Sequence, residues 1–268
     1  MSIDKAKQTV EVVTTIMSVA KDTPELREAG SELAKSALTL TKAINVCLLP
    51  IAAVTFAFDK GRKYFESKFE HDLEEVMKDV PQEDIVEPKA SLVAPALQGL
   101  AFSSDEPNLK ELYLRLIRSS MTRQKTDDVH PSFSDIIRQL DPLEAGLLNS
   151  FIAGQANRTI ATVTAGIKDS GGQYRVKYRH LYNWFYSETG EMAKIPAFPS
   201  MIDNWIRLGL VEVRYDRHAA GENLYDWVEA RQEYKDIFNN LEDDEEIKFI
   251  KGTIDLTEFG KRFARAVL

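Results

Sequence analysis

The sequence has few of the groups that supply covalent or metal chemistry. Cys47 is its single cysteine, which excludes an internal disulfide and a cysteine-rich zinc or iron–sulfur site. It contains no GxxxxGK[ST] phosphate loop, no GxSxG nucleophile elbow and no CxxC motif. With 44% hydrophobic and 28% charged residues, the composition is that of a globular protein.

The chain also lacks an excess of positive charge. Its 34 lysines and arginines face 42 acidic residues, a net charge of −8, and residues 1–130 and 131–268 each hold 17 basic and 21 acidic residues. This balance argues against attraction of the whole chain to nucleic acid or anionic lipid. Because the first residues lack the basic-then-apolar order of a signal peptide, the predicted location is the cytoplasm.

Charge is missing altogether from one window, Ala43–Phe58, which has Pro50 in its middle. A transmembrane helix needs about 20 apolar residues, so the window is too short unless it extends back to Leu38. Our interpretation is a pair of buried core helices broken at Pro50. The alternative is membrane contact through residues 38–58.

Apolar residues recur with helical spacing through the first half of the chain. Phe65, Phe69, Leu73 and Val76, for example, form one face of a predicted helix. The sequence therefore predicts a helical domain over residues 1–128.

The second half mixes helices with strands. The predicted strands are Thr159–Ile167, Leu210–Tyr215 and Ile247–Leu256, the last as a strand pair, and the predicted helices include Pro199–Leu208 and Tyr225–Leu241. The order of helices, a helix-to-strand step at Gly209 and a last helix is typical of a winged-helix module. The predicted fold is mainly α with a small β component (α+β), with a winged-helix-like domain over 129–268.

Cationic and aromatic residues interleave in Gln173–Trp184. The candidate binding residues there are Arg175, Lys177, Arg179, His180 and Trp184. Cations contact phosphates and aromatic rings stack on bases, so the segment predicts a nucleic-acid contact. The same alternation fits a half-buried strand with a basic outer face. Pro199–Leu208, the segment expected to read DNA, has only Arg207 as a cation, which favours a structural or protein-binding module.

Two further cations, Arg115 and Arg118, are i, i+3 neighbours on a predicted helix. They could grip a phosphate or a carboxylate of a partner, and surface ion pairs are the alternative.

His130 is the candidate for acid–base or metal chemistry, because it follows Asp127 and Asp128. The spacing lacks the HExxH pattern of zinc proteases, and we interpret His130 as the cap of a helix that starts at Pro131. The acidic connector at 83–87 could bind Mg²⁺, but it also fits a solvated turn. We interpret the acidic segment Glu242–Glu246 as a solvated loop. No catalytic residue, metal site or cofactor is predicted.

Three segments together resemble a bacterial family called abortive infection alpha. They are Val80–Leu100, Leu112–Leu148 around the His130-Pro131-Ser132-Phe133 step, and the pairing of Asn204–Leu210 with Ile254–Lys261. The resemblance implies a prokaryotic or mobile-element protein linked to phage defence. It implies no catalytic residues, because none are settled for the family.

These observations predict a phage-defence protein that acts by binding a protein partner, with self-association as a further expectation, rather than by catalysis. Three alternatives stay open: a DNA-binding regulator that uses Gln173–Trp184, a membrane-acting effector that inserts residues 38–58, and a metal-dependent hydrolase around His130.

Overall fold

The computed structural model of the protein describes residues 39, 42–44, 55–154, 158–168, 172–185 and 191–268. Ala43 and Ile44 are buried. Cys47 and Pro50 lie outside the described residues, so the predicted helix pair and the membrane contact through residues 38–58 stay predictions. Within the described ranges, no helix is both long enough and apolar enough to cross a membrane.

The chain forms two compact units. Unit 1 comprises the described residues up to Ala153 together with Arg262–Leu268, and unit 2 comprises those of Gly154–Lys261. The predicted division into domains at 128/129 stays a prediction.

Helices dominate the first part of the chain and strands appear after it. The α-helices before the first strand are α1 (Thr55–Ser67), α2 (Phe69–Met77), α3 (Ala90–Ser103), α4 (Pro107–Met121), α5 (Phe133–Arg138) and α6 (Pro142–Ala153), with a short 3₁₀ helix at Gln82–Asp84. The later elements are β1 (Thr159–Ile167), β2 (Arg175–Tyr182), α7 (Phe198–Arg207), β3 (Val211–Arg214), α8 (Trp227–Ala230), α9 (Gln232–Phe238), β4 (Glu245–Leu256) and α10 (Glu258–Val267). The predicted α+β class is confirmed.

The core of unit 1 lies around α3 and α4. Helix α3 packs against α1, α4 and α5, and α4 also contacts α2 and α6. Tyr113 of α4 is 1% exposed and lies directly against Gly99 of α3, where an added Cβ would be 2.2 Å from the tyrosine ring. The missing side chain at Gly99 therefore allows these two helices to approach closely.

Local sequence signals fix several of the helix ends. The N–H of Glu144 donates to Asp141 Oδ1 (2.8 Å), and the N–H of Asp141 donates to Glu144 Oε2 (3.3 Å), a reciprocal capping box at the start of α6. Gly209 has a φ of 72° after α7, a left-handed conformation that favours glycine. The helix-to-strand step predicted at Gly209 is confirmed.

Unit 2 is built on a four-stranded antiparallel sheet with the order β2-β1-β4-β3. The central strand β1 is buried over most of its length, and the prediction of Thr159–Ile167 is confirmed to the residue. Ala161, Val163 and Leu181 pack in one core cluster with Tyr225 and Trp227. Helix α7 packs against β2 and β3.

Candidate functional site

Strand β2 carries most of the predicted binding residues and forms one edge of the sheet. It pairs only with β1 in the described part of the chain, so its outer edge presents backbone N–H and C=O groups. Residues 175–177 are exposed, whereas His180, Leu181 and Tyr182 are buried. The strand therefore has an open first half and a second half that belongs to the core.

Two irregularities in the pairing of β2 decide where its side chains point. Between the Ile160–Tyr182 and Ala165–Arg175 pairs, β2 has two more residues than β1, and the register shifts opposite residues 161–164. Each extra residue reverses the alternation of side chains between the two faces. The basic residues predicted to share one outer face are consequently redistributed.

Arg175 and Lys177 converge on one buried carboxylate. Arg175 Nη2 lies 2.5 Å and Lys177 Nζ 3.8 Å from Glu245 Oε1, although the Glu245 side chain is only 4% exposed. The N–H of Glu242, and after it the Arg175 guanidinium, hold the pKa of the Glu245 carboxyl below its ordinary value. The predicted solvated loop at 242–246 is wrong at Glu245, which begins β4 and neutralises part of the basic segment.

Arg179 differs from the other two cations of β2. It is exposed, and no ion pair to it is formed within the described ranges. Two apolar side chains on the same strand region, Tyr174 and Val176, are 59% and 44% exposed. Together these residues give the segment 174–179 a surface that is both cationic and apolar.

His180 lies inside unit 2. It is 6% exposed and has a φ of 54°. Its Nε2 lies 3.3 Å from Asp203 Oδ1 of α7, and its Nδ1 lies 3.1 Å from the hydroxyl of Tyr215. Burial lowers the pKa of His180, and the opposing attraction of Asp203 is too weak to restore it. The side chain links β2 to α7 and is not part of the exposed surface.

This burial makes the stability of unit 2 depend on pH. Because the folded state holds His180 neutral, the unfolded chain binds more protons as the pH falls below about 6.5. We expect the urea midpoint of unfolding to be lower at pH 5.5 than at pH 7.5, and His180→Asn, which tolerates positive φ, to reduce this difference. Exposed His218 provides the control: His218→Asn should leave the pH dependence as in wild type. Equal dependence in both variants would contradict the assignment.

Trp184 follows β2 and belongs to an aromatic cluster. Its ring centroid lies 5.0 Å from that of Tyr182 and 5.3 Å from that of Phe198, and the latter pair is edge-to-face. Its carbonyl accepts a hydrogen bond from Arg231 at 3.1 Å. Trp184 thus packs against the start of α7.

Arg115 and Arg118 belong to unit 1 and line a cleft of about 400 Å³ on α2 and α4. Arg115 pairs with Glu111, and its Nη1 also lies 3.5 Å from the carbonyl of Val267. In the same cleft Lys110 and Asp72 pair at 2.9 Å. Acidic side chains therefore accompany the two predicted arginines.

His130 lines a second cavity of unit 1, with a volume of about 590 Å³. The N–H of Ser132 donates to its Nδ1 at 3.2 Å, so the histidine caps the turn before α5, which begins at Phe133 rather than Pro131. Asp128 is turned toward Arg265, at 2.8 Å. No group of three or more metal-ligating side chains is present in the described part of the chain.

The acidic connector at 83–87 is tied to the end of α4. Asp84 accepts a hydrogen bond from Gln124 at 3.2 Å, and its carbonyl accepts the N–H of Arg123 at 2.8 Å. Ile85 forms an isolated bridge with Thr122. These bonds give the segment a structural role.

In the described part of unit 2, sequence reasoning missed two buried acidic side chains, Glu233 and Glu245, together with Arg231, which pairs with Glu233. Glu245 meets Arg175 only when the strands of the sheet are assembled, whereas Glu233 is two residues from Arg231 and chelates it because the chain is extended at Arg231. The one signal in the sequence is that Glu245 lies just before the predicted strand Ile247–Leu256, where a carboxylate can be drawn into the sheet.

Comparison with known proteins gives one match. The family model described as abortive infection alpha matches residues 61–267, which is about three quarters of the chain. No curated protein and no solved structure matches the chain.

Proposed function

Because this chain belongs to the abortive infection alpha family, we propose that it acts in phage defence by binding a protein partner rather than by catalysis, with the open edge of β2 as the contact surface. The family membership supports the link to phage defence. The exposed edge strand is the observation that supports binding, because an edge offers backbone groups to a further strand.

The side chains on this edge favour a partner segment that is extended and acidic. Arg179 supplies a cation at the strand's midpoint, and Arg175 remains 73% exposed while it contacts Glu245. Extended segments add to a sheet edge through main-chain hydrogen bonds, and alternate side chains of the edge determine which sequence binds. Acidic residues of the partner would be steered toward these cations.

Exposed apolar side chains lie at the same end of the sheet. Ile167, at the end of β1, is 54% exposed, and the nearby Tyr174 and Val176 are 59% and 44% exposed. The two strands approach closely here, since a Cβ on Gly166 would lie 2.4 Å from the carbonyl oxygen of Gln173. Exposed apolar groups beside cations are typical of the centre of a protein interface rather than of a merely protected edge.

A double substitution, Tyr174→Glu with Val176→Glu, tests the proposal. Both side chains are exposed, so the fold should be retained, while the new carboxylates repel an acidic partner. We expect the plating efficiency of a phage that the intact gene restricts to rise by about tenfold or more, as for a 1.4 kcal/mol loss of binding. Phe238→Glu is the matched control, because Phe238 is 58% exposed on α9 of the same unit.

Photo-crosslinking separates loss of the partner from loss of the protein. A photoreactive residue at position 176 should capture a protein in infected cells, and the same residue at position 238 should not. Undiminished protection by the double variant, at equal protein level, would refute β2 as the contact surface.

Nucleic acid is the second candidate for this strand, supported by Arg179 and Tyr174. Glu245 opposes it, since it offsets the charge of the two neighbouring cations. Affinity for a duplex and for single-stranded DNA at low salt that is lost in Arg179→Glu would favour nucleic acid over a protein segment.

The winged-helix assignment of the C-terminal region is part of the same proposal. Helix α7 ends at Arg207, the left-handed Gly209 leads from it into β3, and β3 pairs with β4 in antiparallel orientation. In this view α7 packs against the sheet rather than entering a DNA groove, which agrees with its buried Trp205, Met201 and Ile202.

A further inference from the structure

The cavity of about 590 Å³ beside His130 is not used by the proposed contact at β2. It lies in unit 1, between α3 and the segment that leads from His130 into α5. Its volume falls in the range of sites for small molecules, about 300–1,000 Å³. The chemistry of its walls determines which kind of molecule it can hold.

One side of the cavity is apolar and contains a ring. Phe102 of α3 is 49% exposed although it lines the cavity, and Pro95 lies about two turns before it on the same helix. An aromatic ring that is accessible from a concave site offers a stacking surface for a flat ligand. A ligand that covers the ring accounts for the exposed position of Phe102, whereas packing in the core of unit 1 does not.

Polar groups face the same space. Gln98, half-buried on α3, brings an amide that both donates and accepts, and Ser132 brings a hydroxyl. Pro95 has no N–H for the carbonyl of Ser91, so an acceptor at the start of α3 is deprived of its usual helical donor. Amide, hydroxyl and carbonyl groups of this kind can hydrogen-bond to the donors and acceptors on the edge of a nucleobase.

The walls are held in place before any ligand arrives. Tyr113, 1% exposed, donates its hydroxyl to the carbonyl of Ser134 at 3.3 Å. Nδ1 of His130 accepts the Ser132 N–H at 3.2 Å and lies 2.7 Å from the Ser132 hydroxyl, so two contacts orient the imidazole ring. A rigid wall reduces the entropy lost on binding.

Charge at the cavity is balanced. Asp135 and Arg138 line it together and pair with each other at 2.8 Å, where both are more than half exposed. The pair cancels, so the cavity presents no net charge to attract an ion. This favours a neutral ligand over a nucleotide or an acidic peptide.

We propose that this cavity binds an uncharged heteroaromatic molecule of nucleoside size, which stacks on Phe102 and hydrogen-bonds to Gln98. The site is separate from β2, and its occupancy does not depend on the partner proposed there.

Adenosine, guanosine, cytidine and uridine are the probes, each titrated into the full chain by calorimetry and by saturation-transfer NMR. We expect at least one to bind, and Phe102→Leu to weaken it by about fivefold or more, the loss of one stacking contact. Gln98→Leu should also weaken it. Phe238→Leu, a change of an equally exposed phenylalanine on α9, should leave the affinity unchanged.

An observation on the unmodified chain keeps the test independent of variant folding. Ring-proton signals of His130 should shift on titration with the nucleoside that binds. Absence of binding by all four nucleosides at about 1 mM, or full affinity in Phe102→Leu, would overturn the proposal. AMP that binds more than about tenfold tighter than adenosine would also overturn it, because the site would then select an anion.

Discussion

Replacing Gly260 with alanine is expected to lower the free energy of unfolding by about 3 kcal/mol. A Cβ at this position would lie 1.9 Å from the carbonyl oxygen of Leu210, far inside van der Waals contact. That oxygen belongs to the backbone and accepts the N–H of Thr257 at 3.1 Å, so it cannot rotate away. Thr257 Oγ1 in turn accepts the N–H of Gly260 at 2.8 Å, which fixes the first turn of α10.

Helix propensity acts in the opposite direction and does not decide the outcome. Alanine is favoured over glycine in a helix interior by about 1 kcal/mol, which is smaller than the cost of moving two hydrogen-bonded backbone segments. The measurement is urea unfolding of the full chain, with hydrogen exchange of the amides of Thr257 and Gly260 as the local readout.

Gly146→Ala is the matched control for this prediction. An added Cβ in α6 would lie 2.7 Å from Nδ2 of Asn108, which is the end of a flexible, exposed side chain. The side chain can move, and the gain in helix propensity offsets its lost hydrogen bond to the carbonyl of Pro142. If the free energies of unfolding of both variants lay within about 1 kcal/mol of wild type, the close contact between Gly260 and the Leu210 carbonyl would not contribute to stability as proposed.

The parts of the fold that local chemistry determines were predictable from the sequence. Thr159–Ile167 is a strand because its β-branched residues suit a pleated, buried surface. Asp141 accepts a backbone N–H that the first turn of α6 would otherwise leave unpaired. Gly209 adopts the left-handed conformation that ends α7. Each of these signals lies within a few residues of the structure it specifies.

Elements that depend on distant partners were predicted less well. The helical prediction for Tyr225–Leu241 is confirmed only in part, because Arg231 is extended, with a ψ of 141°, and divides the segment into α8 and α9. The strand pair expected at Ile247–Leu256 is wrong, since β4 is one strand of 12 residues that pairs with both β1 and β3. Neither the break nor the pairing is encoded by local spacing.

The same reasoning applies to the candidate site. The sequence predicts the exposure of Arg175 and Arg179, because cations seldom lie in a core. It cannot predict that His180 is buried, because the extra residues of β2 reverse the alternation only when the strand pairs with β1. Likewise, Glu245 becomes a partner of Arg175 only across the width of the sheet.

The second large effect is expected at Arg231. This side chain is 3% exposed, and its Nε and Nη2 donate to the two carboxylate oxygens of Glu233, itself 5% exposed, at 3.1 and 2.7 Å. Nη1 and Nη2 also donate to the carbonyls of Trp184 and Ala193. Arg231→Ala would leave a carboxylate buried without its cation, and we expect a loss of about 3–5 kcal/mol in urea unfolding.

A second substitution separates the buried charge from the bonds to the backbone. Arg231→Met with Glu233→Leu removes both charges, so it should restore most of the loss. What remains is about 1–3 kcal/mol for the carbonyl of Ala193, which loses its Arg231 donor, whereas the carbonyl of Trp184 still accepts the N–H of Ala193 at 2.9 Å. Arg214→Ala breaks an exposed pair with Asp216 in the same unit and should leave the urea midpoint close to that of wild type. If Arg231→Ala lowered the free energy of unfolding as little as Arg214→Ala, the Arg231–Glu233 pair would have to be hydrated, and the prediction would be wrong. If the double variant were as unstable as Arg231→Ala, the bonds to the two carbonyls, and not the buried charge, would hold α9 to the segment between β2 and α7.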